Sequence, residues 1–312
     1  IESASWLRID RIGMRMLNTS ALSGAECVYL RLLITGAGEK NVKFVMIDEV
    51  QDYTETQLMV LGKYFSRAHF LLLGDSNQAI WEDTATFEQI EKIFSATHGE
   101  GAVSTCKLLT SYRSSPEITA LFTSLLSEEE RGQTSSVQRG GKKPEFFEVV
   151  ADNKDTERAE YLQTIKSLIE QAQEFDGLTA IVCTEKSRVR WLAKQLEGVF
   201  AESENDVANG VTDGVAGNGA AQANGAAQVN GAAQAKPRTG VKVLTSHDSL
   251  PAKGVVLLDL ALAKGLEFDQ VIVADAQEEV YKADGISRRR LYTALSRAMH
   301  HVMVVSQGKM TP

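Results

Sequence analysis

The sequence predicts an α/β protein with two parallel-sheet lobes. Short apolar runs rich in β-branched residues stop abruptly at acidic or polar side chains. Stretches of helical periodicity separate them, and capping signals mark where those helices begin. Alternation of strand and helix in this way is the pattern of βαβ units and parallel sheets.

Residues 1–40 read as helices and a loop. Residues 42–47 run directly into Asp48 and Glu49, which suits a buried parallel strand. Thr54 with Gln57 three residues on is a capping-box pattern, and Leu58, Leu61 and Phe65 then recur at helical spacing. Residues 69–73 form a second apolar strand that ends in Gly74 and Asp75. A second series begins near Lys107. Leu108 and Leu109 lead into a polar turn, and a helix starts there, either with Ser114 and Glu117 as a capping box or with Ser115 as N-cap before Pro116. Strands follow at 146–150 and 178–183, with helices over 158–173 and 187–196. The last third predicts strands at 241–244, 255–258, 270–274 and 301–305. A helix over 287–299 precedes the final strand, with Leu291, Ala294, Leu295 and Ala298 as its apolar stripe. Arg290, Thr293 and Arg297 fall on another face of it. His300 and His301, at that helix-to-strand junction, read as structural.

Residues 201–238 differ in kind. The unit Asn-Gly-Ala-Ala-Gln-Ala/Val starts at Asn218, Asn224 and Asn230. Such a segment has little to bury against the entropy of ordering, and each glycine costs a helix about 1 kcal/mol. It predicts a mobile tether inside the second lobe, the lobes being residues 1–106 and 107–312.

The bulk properties bound the function. A net charge of −8 argues against gripping nucleic acid by overall charge, so any such contact must be local, through a groove and stacking side chains. Cys27, Cys106 and Cys183 have no metal-ligand or disulfide spacing and read as buried thiols in a reducing cytoplasm. No apolar run approaches the ~18 residues of a membrane span. The chain starts at Ile1 rather than Met, which leads us to expect a piece of a longer protein.

Adjacent carboxylates at the carboxyl end of a buried strand face the ligand crevice of an open α/β sheet. Asp48 and Glu49 there suit a hydrolytic NTPase. One can hold Mg²⁺, which needs only one or two protein carboxylates, and the other can accept a proton from water. Taken alone, Asp-Glu after a strand is more often a solvated acidic loop.

The longer strings narrow the choice. Residues 45–52 read VMIDEVQD and residues 71–81 read LLLGDSNQAIW. Further on come LLTSYRSSPEI at 108–118, AKGLEFDQVIV at 263–273 and LYTALSRAM at 291–299. In this order they resemble motifs II to VI of superfamily 1 helicases of the UvrD/Rep type. The resemblance implies RecA-like P-loop NTPase motor lobes with parallel sheets, the first lobe incomplete. It implies ATP and Mg²⁺ as cofactors and single-stranded DNA as partner. By transfer Asp48 organises Mg²⁺, Glu49 is the general base and Gln78 senses the γ-phosphate. Arg113 and Arg297 reach the same phosphate, and Tyr112 packs on the adenine. Gly265 and Glu267 lie near phosphates and ribose, and Trp81 stacks on a base. Asp48, Glu49, Gln78, Arg113 and Arg297 are expected to share one cleft between the lobes.

Three departures qualify the resemblance, one being that the span between motifs IV and V leaves little room for a large 2B-type insertion. The phosphate-binding pattern GxxxxGK[ST] is absent. The Gly-Lys clusters at 36–40 and 140–143 have neither its spacing nor a preceding strand. A chain limited to these residues is therefore expected not to turn over ATP, and an N-terminal part of the same protein is expected to supply the loop. In addition, Asp259 and Ala261 stand where UvrD and Rep carry Thr-x-His. That change, with GDSNQAIW and the SYRSS turn, is more similar to the HelD branch, described as DNA helicase IV-like, and implies RNA polymerase as an alternative partner. A non-catalytic partner-binding lobe is the third reading.

Overall fold

The computed structural model describes residues 8–36, 38–108, 110–111, 113–131, 135–137, 140–209 and 240–312. The chain forms two compact units: Ile1–Leu109 with Asp284–Thr293, and Thr110–Ala283 with Ala294–Pro312. The α/β class with parallel sheets is the one the sequence predicts.

The first unit begins with helices α1 (Ile9–Leu17) and α2 (Gly24–Thr35), the latter opened by a Ser23/Glu26 capping box. Strand β1 (Phe44–Ile47) runs parallel to β2 (His69–Leu72), with Phe44 opposite His69 and Ile47 opposite Leu72. Between them α3 (Glu55–Tyr64) starts at the anticipated Thr54/Gln57 box, in which side chain and backbone satisfy each other's orphan groups. Helix α4 (Phe87–His98) follows β2 and is capped in the same way by Thr86 and Gln89. Ile47, Val50, Leu58, Ile90, Ile93 and Phe94 form the core beneath this pair. Among the described residues only one face of the pair is covered. Phe44 and Met46 on the other face are 75% and 70% exposed, so β1 is half-buried where the sequence suggests full burial.

The second unit is built on a larger sheet. Two-residue strands β3 (Thr110–Ser111) and β4 (Ser135–Ser136) pair in parallel around helices α5 (Pro116–Thr123) and α6 (Glu128–Arg131). Then come β5 (Glu145–Val149), α7 (Lys154–Glu174), β6 (Leu178–Cys183), α8 (Lys186–Asn209), β7 (Val241–Val243), β8 (Gly254–Asp259), α9 (Leu260–Ala263) and β9 (Phe268–Val273). Helix α10 (Gly285–Leu295) and strand β10 (Ala298–Gln307) complete the chain. The six strands lie in the order β5-β10-β9-β6-β8-β7, every pair parallel. Central β6 is buried along its whole length, as a run that is apolar but for the β-branched Thr179 suits. Tyr161, Ile165 and Ile169 of α7 and Val189, Leu192 and Leu196 of α8 pack with Ile181, Leu257 and Ile272 of the sheet.

Several boundaries differ from the sequence expectation. Helix α7 starts at Lys154, because Asn153 caps it and its first turn carries no apolar signal. Helix α8 runs on to Asn209, so residues 201–209 are helical; the rest of the expected tether, 210–238, lies outside the described residues. Helix α10 stops at Leu295 rather than 299, because Arg297 N–H closes a tight turn on Ala294 O and Ala298 already pairs with Phe268. His300 and His301 therefore lie within β10. Of the three cysteines only Cys183 is buried; Cys106 is exposed.

Asp275, just past β9, is 1% exposed, and its Oδ2 accepts the Thr184 N–H at 2.8 Å. Burial pushes its carboxyl up to about 6, against the opposing pull of the Thr184 N–H and Arg188, with Glu185 adding to the rise. A carboxyl raised on folding favours the native state at low pH, and that contribution is lost as pH rises from about 4 through about 6. Unfolding free energy should fall across that window by up to ~3 kcal/mol relative to Asp275→Asn. Denaturant titrations of both proteins at pH 4.5 and pH 7.5 check this.

Candidate functional site

In the first unit β1 delivers Asp48 and Glu49 at its carboxyl end. Asp48 is exposed and its Oδ1 accepts the Glu49 N–H at 2.9 Å. Glu49 takes the left-handed conformation, φ 51° and ψ 42°, uncommon outside glycine and asparagine. That turn reverses the backbone so that Val50 N–H can donate to Leu73 O at 2.9 Å, while Leu73 N–H donates to Ile47 O at 2.8 Å. The ends of both strands are thereby stitched together.

Gln51, which the sequence reading does not single out, is the centre of this region. It is 1% exposed. Its Nε2 donates to Glu49 Oε2 at 2.5 Å and its Oε1 accepts the Asp75 N–H at 3.1 Å. Reversing the amide would set donor against donor at Asp75 and acceptor against acceptor at Glu49, so the network fixes its orientation. Asp75 continues the chain of bonds. Its Oδ1 accepts the Asn77 N–H and its Oδ2 accepts Gln78 Nε2, both at 2.9 Å. Glu49, Gln51, Asp75 and Gln78 thus form one connected set. Ile80 beyond it is 3% exposed, and Trp81 is 47% exposed. Still within the first unit, Arg289 Nε donates to Ala79 O at 2.9 Å and Arg290 Nε to Ile80 O at 3.1 Å.

The second unit gathers the remaining candidates around the turn after α9. Arg113 Nε meets Glu267 Oε1 at 2.6 Å, each side chain being about two-fifths exposed. Ser114 Oγ donates to Ala298 O at 2.7 Å and Ser115 N–H to Met299 O at 3.0 Å, which fastens the Arg113 turn to the start of β10. Ser115 is the cap of α5, which decides between the two starts the sequence leaves open. Gly265 has φ 80°, a conformation that a side chain would strain. Arg297 is 1% exposed, with Nη1 donating to Leu266 O at 3.4 Å and Nη2 to Ser296 Oγ at 3.1 Å. The sequence places this arginine on the outside of a helix; the structure buries it beyond the helix end. Asp259 caps α9, its Oδ1 accepting the Leu262 N–H at 3.2 Å. Tyr112 lies outside the described residues.

Asp48, Glu49, Gln78 and Trp81 therefore belong to the first unit, and Arg113, Gly265, Glu267 and Arg297 to the second. Among the described residues no cluster of three or more His, Cys, Asp or Glu could by itself hold a metal ion. An exposed Asp48 beside Glu49 fits Mg²⁺ bound by one carboxylate together with phosphate and water oxygens.

Gly74 makes the carboxylate network possible. A Cβ there would lie 2.3 Å from Gln51 Oε1 and 3.0 Å from Val50 Cγ1. Gly74→Ala should displace the buried amide and destabilise the first unit by about 1–3 kcal/mol. A lowered thermal midpoint, with the second unit's transition unmoved, is the expected record.

Two family descriptions match the chain. Residues 16–94 match the UvrD/REP helicase N-terminal domain, and residues 254–305 match the UvrD-like helicase C-terminal domain. The first segment contains the β1 carboxylates, Gln51, Gln78 and Trp81, and the second contains Gly265, Glu267 and Arg297. Among solved structures the chain is similar to the C-terminal domain of a possible DNA helicase from Lactobacillus plantarum WCFS1. The match has 26% identity over 65% of this chain and 91% of that one, with a TM-score of 0.38. No curated protein matches. No helix of the described residues is long and apolar enough to cross a membrane.

Proposed function

We propose that this chain is the motor part of a cytoplasmic, ATP-dependent superfamily 1 helicase or translocase that moves on single-stranded DNA. The observation that carries the reading is the hydrogen-bonded path from Glu49 through Gln51 and Asp75 to Gln78, at the carboxyl ends of two parallel strands. Strand-end carboxylates tied to a polar side chain on the neighbouring strand's loop suit a site that must orient a water and sense a phosphate together.

In this reading Asp48 holds Mg²⁺, which supplies charge neutralisation for the phosphates. Glu49 accepts the proton of the attacking water and Gln78 contacts the γ-phosphate. By the same resemblance Arg113 and Arg297 would bear cationic charge for the phosphates, with Gly265 and Glu267 at the phosphates and ribose and Tyr112 at the adenine. Arg113 would exchange Glu267 for phosphate. An exposed pair of this kind is worth only about 0–1 kcal/mol, so the exchange is cheap. Buried Arg297 would reach phosphate only as the 264–267 turn opens. Trp81 offers an exposed face for a base, where stacking is worth ~1–3 kcal/mol.

The sequence has no GxxxxGK[ST] loop. A further segment bearing it, from the N-terminal part of the same protein, would also cover the open Phe44 and Met46 face. Residues 1–312 alone should hydrolyse ATP negligibly.

A second reading rests on motif V. Asp259, in place of the family's threonine, is committed to capping α9. That favours a HelD-type ATPase acting on RNA polymerase, with weaker coupling to DNA.

The deciding measurement is ATP hydrolysis by the longest natural form of the protein, with and without single-stranded DNA. Stimulation by DNA is expected. Glu49→Gln should lower turnover by about 10²–10⁴-fold, and Trp81→Ala should remove the stimulation while leaving basal hydrolysis. Hydrolysis indifferent to DNA, together with capture of RNA polymerase, would replace the first reading by the second.

A further inference from the structure

We propose that Arg289 and Arg290 are positioning residues for Trp81, holding its indole ready for a base of single-stranded nucleic acid. The inference rests on the reading of Trp81 as the stacking residue and extends it to two side chains more than 200 positions away in sequence.

Trp81 is 47% exposed and makes no ring–ring or cation–π contact among the described residues, so neither a stacked ring nor a cation fixes its direction. Its placement then depends on the backbone that carries it. That backbone is a loop with neither helix nor ladder bonds after the 3₁₀ turn at Ser76–Gln78. Three restraints reach the segment before Trp81 from outside the loop. Ile80 is buried in the core, Asp75 N–H is held by Gln51, and the carbonyls of Ala79 and Ile80 each accept a guanidinium Nε–H.

The last restraint acts on the two peptide units directly before Trp81. Carbonyls at consecutive residues point in different directions, so two donors from one helix fix the rotation of the segment as well as its place. Arginine suits this task because the guanidinium is rigid and always charged, and charge-assisted bonds are the stronger class. Among the described residues neither guanidinium is claimed by a carboxylate. A loop held in its binding conformation before the ligand arrives avoids the ordering cost at binding.

The test uses the chain as it stands and a fluorescently labelled oligothymidine, with affinity read by anisotropy over a range of salt. Trp81→Ala should weaken binding by about 10-fold. The pair Arg289→Gln with Arg290→Gln should weaken it by a similar factor. Because the arginines act through Trp81, the triple variant should bind no more weakly than Trp81→Ala alone, and the salt slope should stay that of the unaltered chain. Arg289→Lys with Arg290→Lys keeps a donor and a charge, so it should recover part of the affinity; it is also the pair to read if the glutamine pair does not fold. Multiplying losses in the triple variant, or a salt slope reduced by about 0.7 per arginine, would make the arginines direct phosphate contacts and overturn the positioning role. An unchanged affinity in the glutamine pair would overturn it too, with the Trp81 reading intact. If Trp81→Ala binds as well as the unaltered chain, or the unaltered chain does not bind, the stacking reading itself fails and takes the inference with it.

Discussion

The buried carboxamide of Gln51 is the constraint on which the candidate site in the first unit depends. A buried amide must satisfy both its donor and its acceptor, and here each is used once, on groups from different loops. Glu49 can sit in a left-handed turn because the amide takes its carboxylate there. The Asp75 loop can come close because Gly74 leaves room for the same amide. Removing either partner would leave a polar group stranded in a region that water does not reach, which makes this short path more sensitive than the exposed acidic pair beside it.

The second unit solves a different problem. Its six-stranded sheet supplies rigidity, with β6 buried throughout and two helices packed on one face. The candidate side chains do not come from the sheet interior but from turns held at its margin. Ser114 and Ser115 fasten the Arg113 turn to β10, and Arg297 braces the Leu266 carbonyl. The exposed Arg113–Glu267 pair is the soft part of this arrangement and buried Arg297 the stiff part. A ligand competing for the first meets little resistance, whereas engaging the second requires the turn itself to change.

Much of this was legible in the sequence, for physical reasons. Strand β6 was recovered residue for residue because a β-branched run that is apolar but for Thr179, set between polar turns, has few alternatives, and α3 because Thr54 and Gln57 satisfy each other locally. The ends of α10 and β10 were misread because Ala294, Leu295 and Ala298 fit an apolar stripe as well as they fit a tight turn entering a strand. Only the pairing of Ala298 with Phe268 decides between them. Gln51 and Arg289 escaped notice, and Arg290 was placed on a helix face without its partner, for a related reason. Apart from the Glu49 carboxylate, their partners are an amide N–H and two carbonyls, and main-chain groups leave no trace in a one-letter string. The exposure of Phe44 was equally invisible, since a strand's sequence shows what it could bury and not what covers it.

The first unit is not a continuous stretch of chain. Residues 284–293 belong to it although they are encoded far downstream of residue 109. Dissection of the protein by truncation therefore has no clean cutting point. A piece ending at residue 109 would keep Asp48, Glu49, Gln78 and Trp81 but lose the two arginines that hold the Ala79 and Ile80 carbonyls. The complementary piece would carry those arginines with nothing to grip. Insertions or deletions between residues 110 and 283 face the same rule: however the intervening segment varies in length, it must return its end to the first unit.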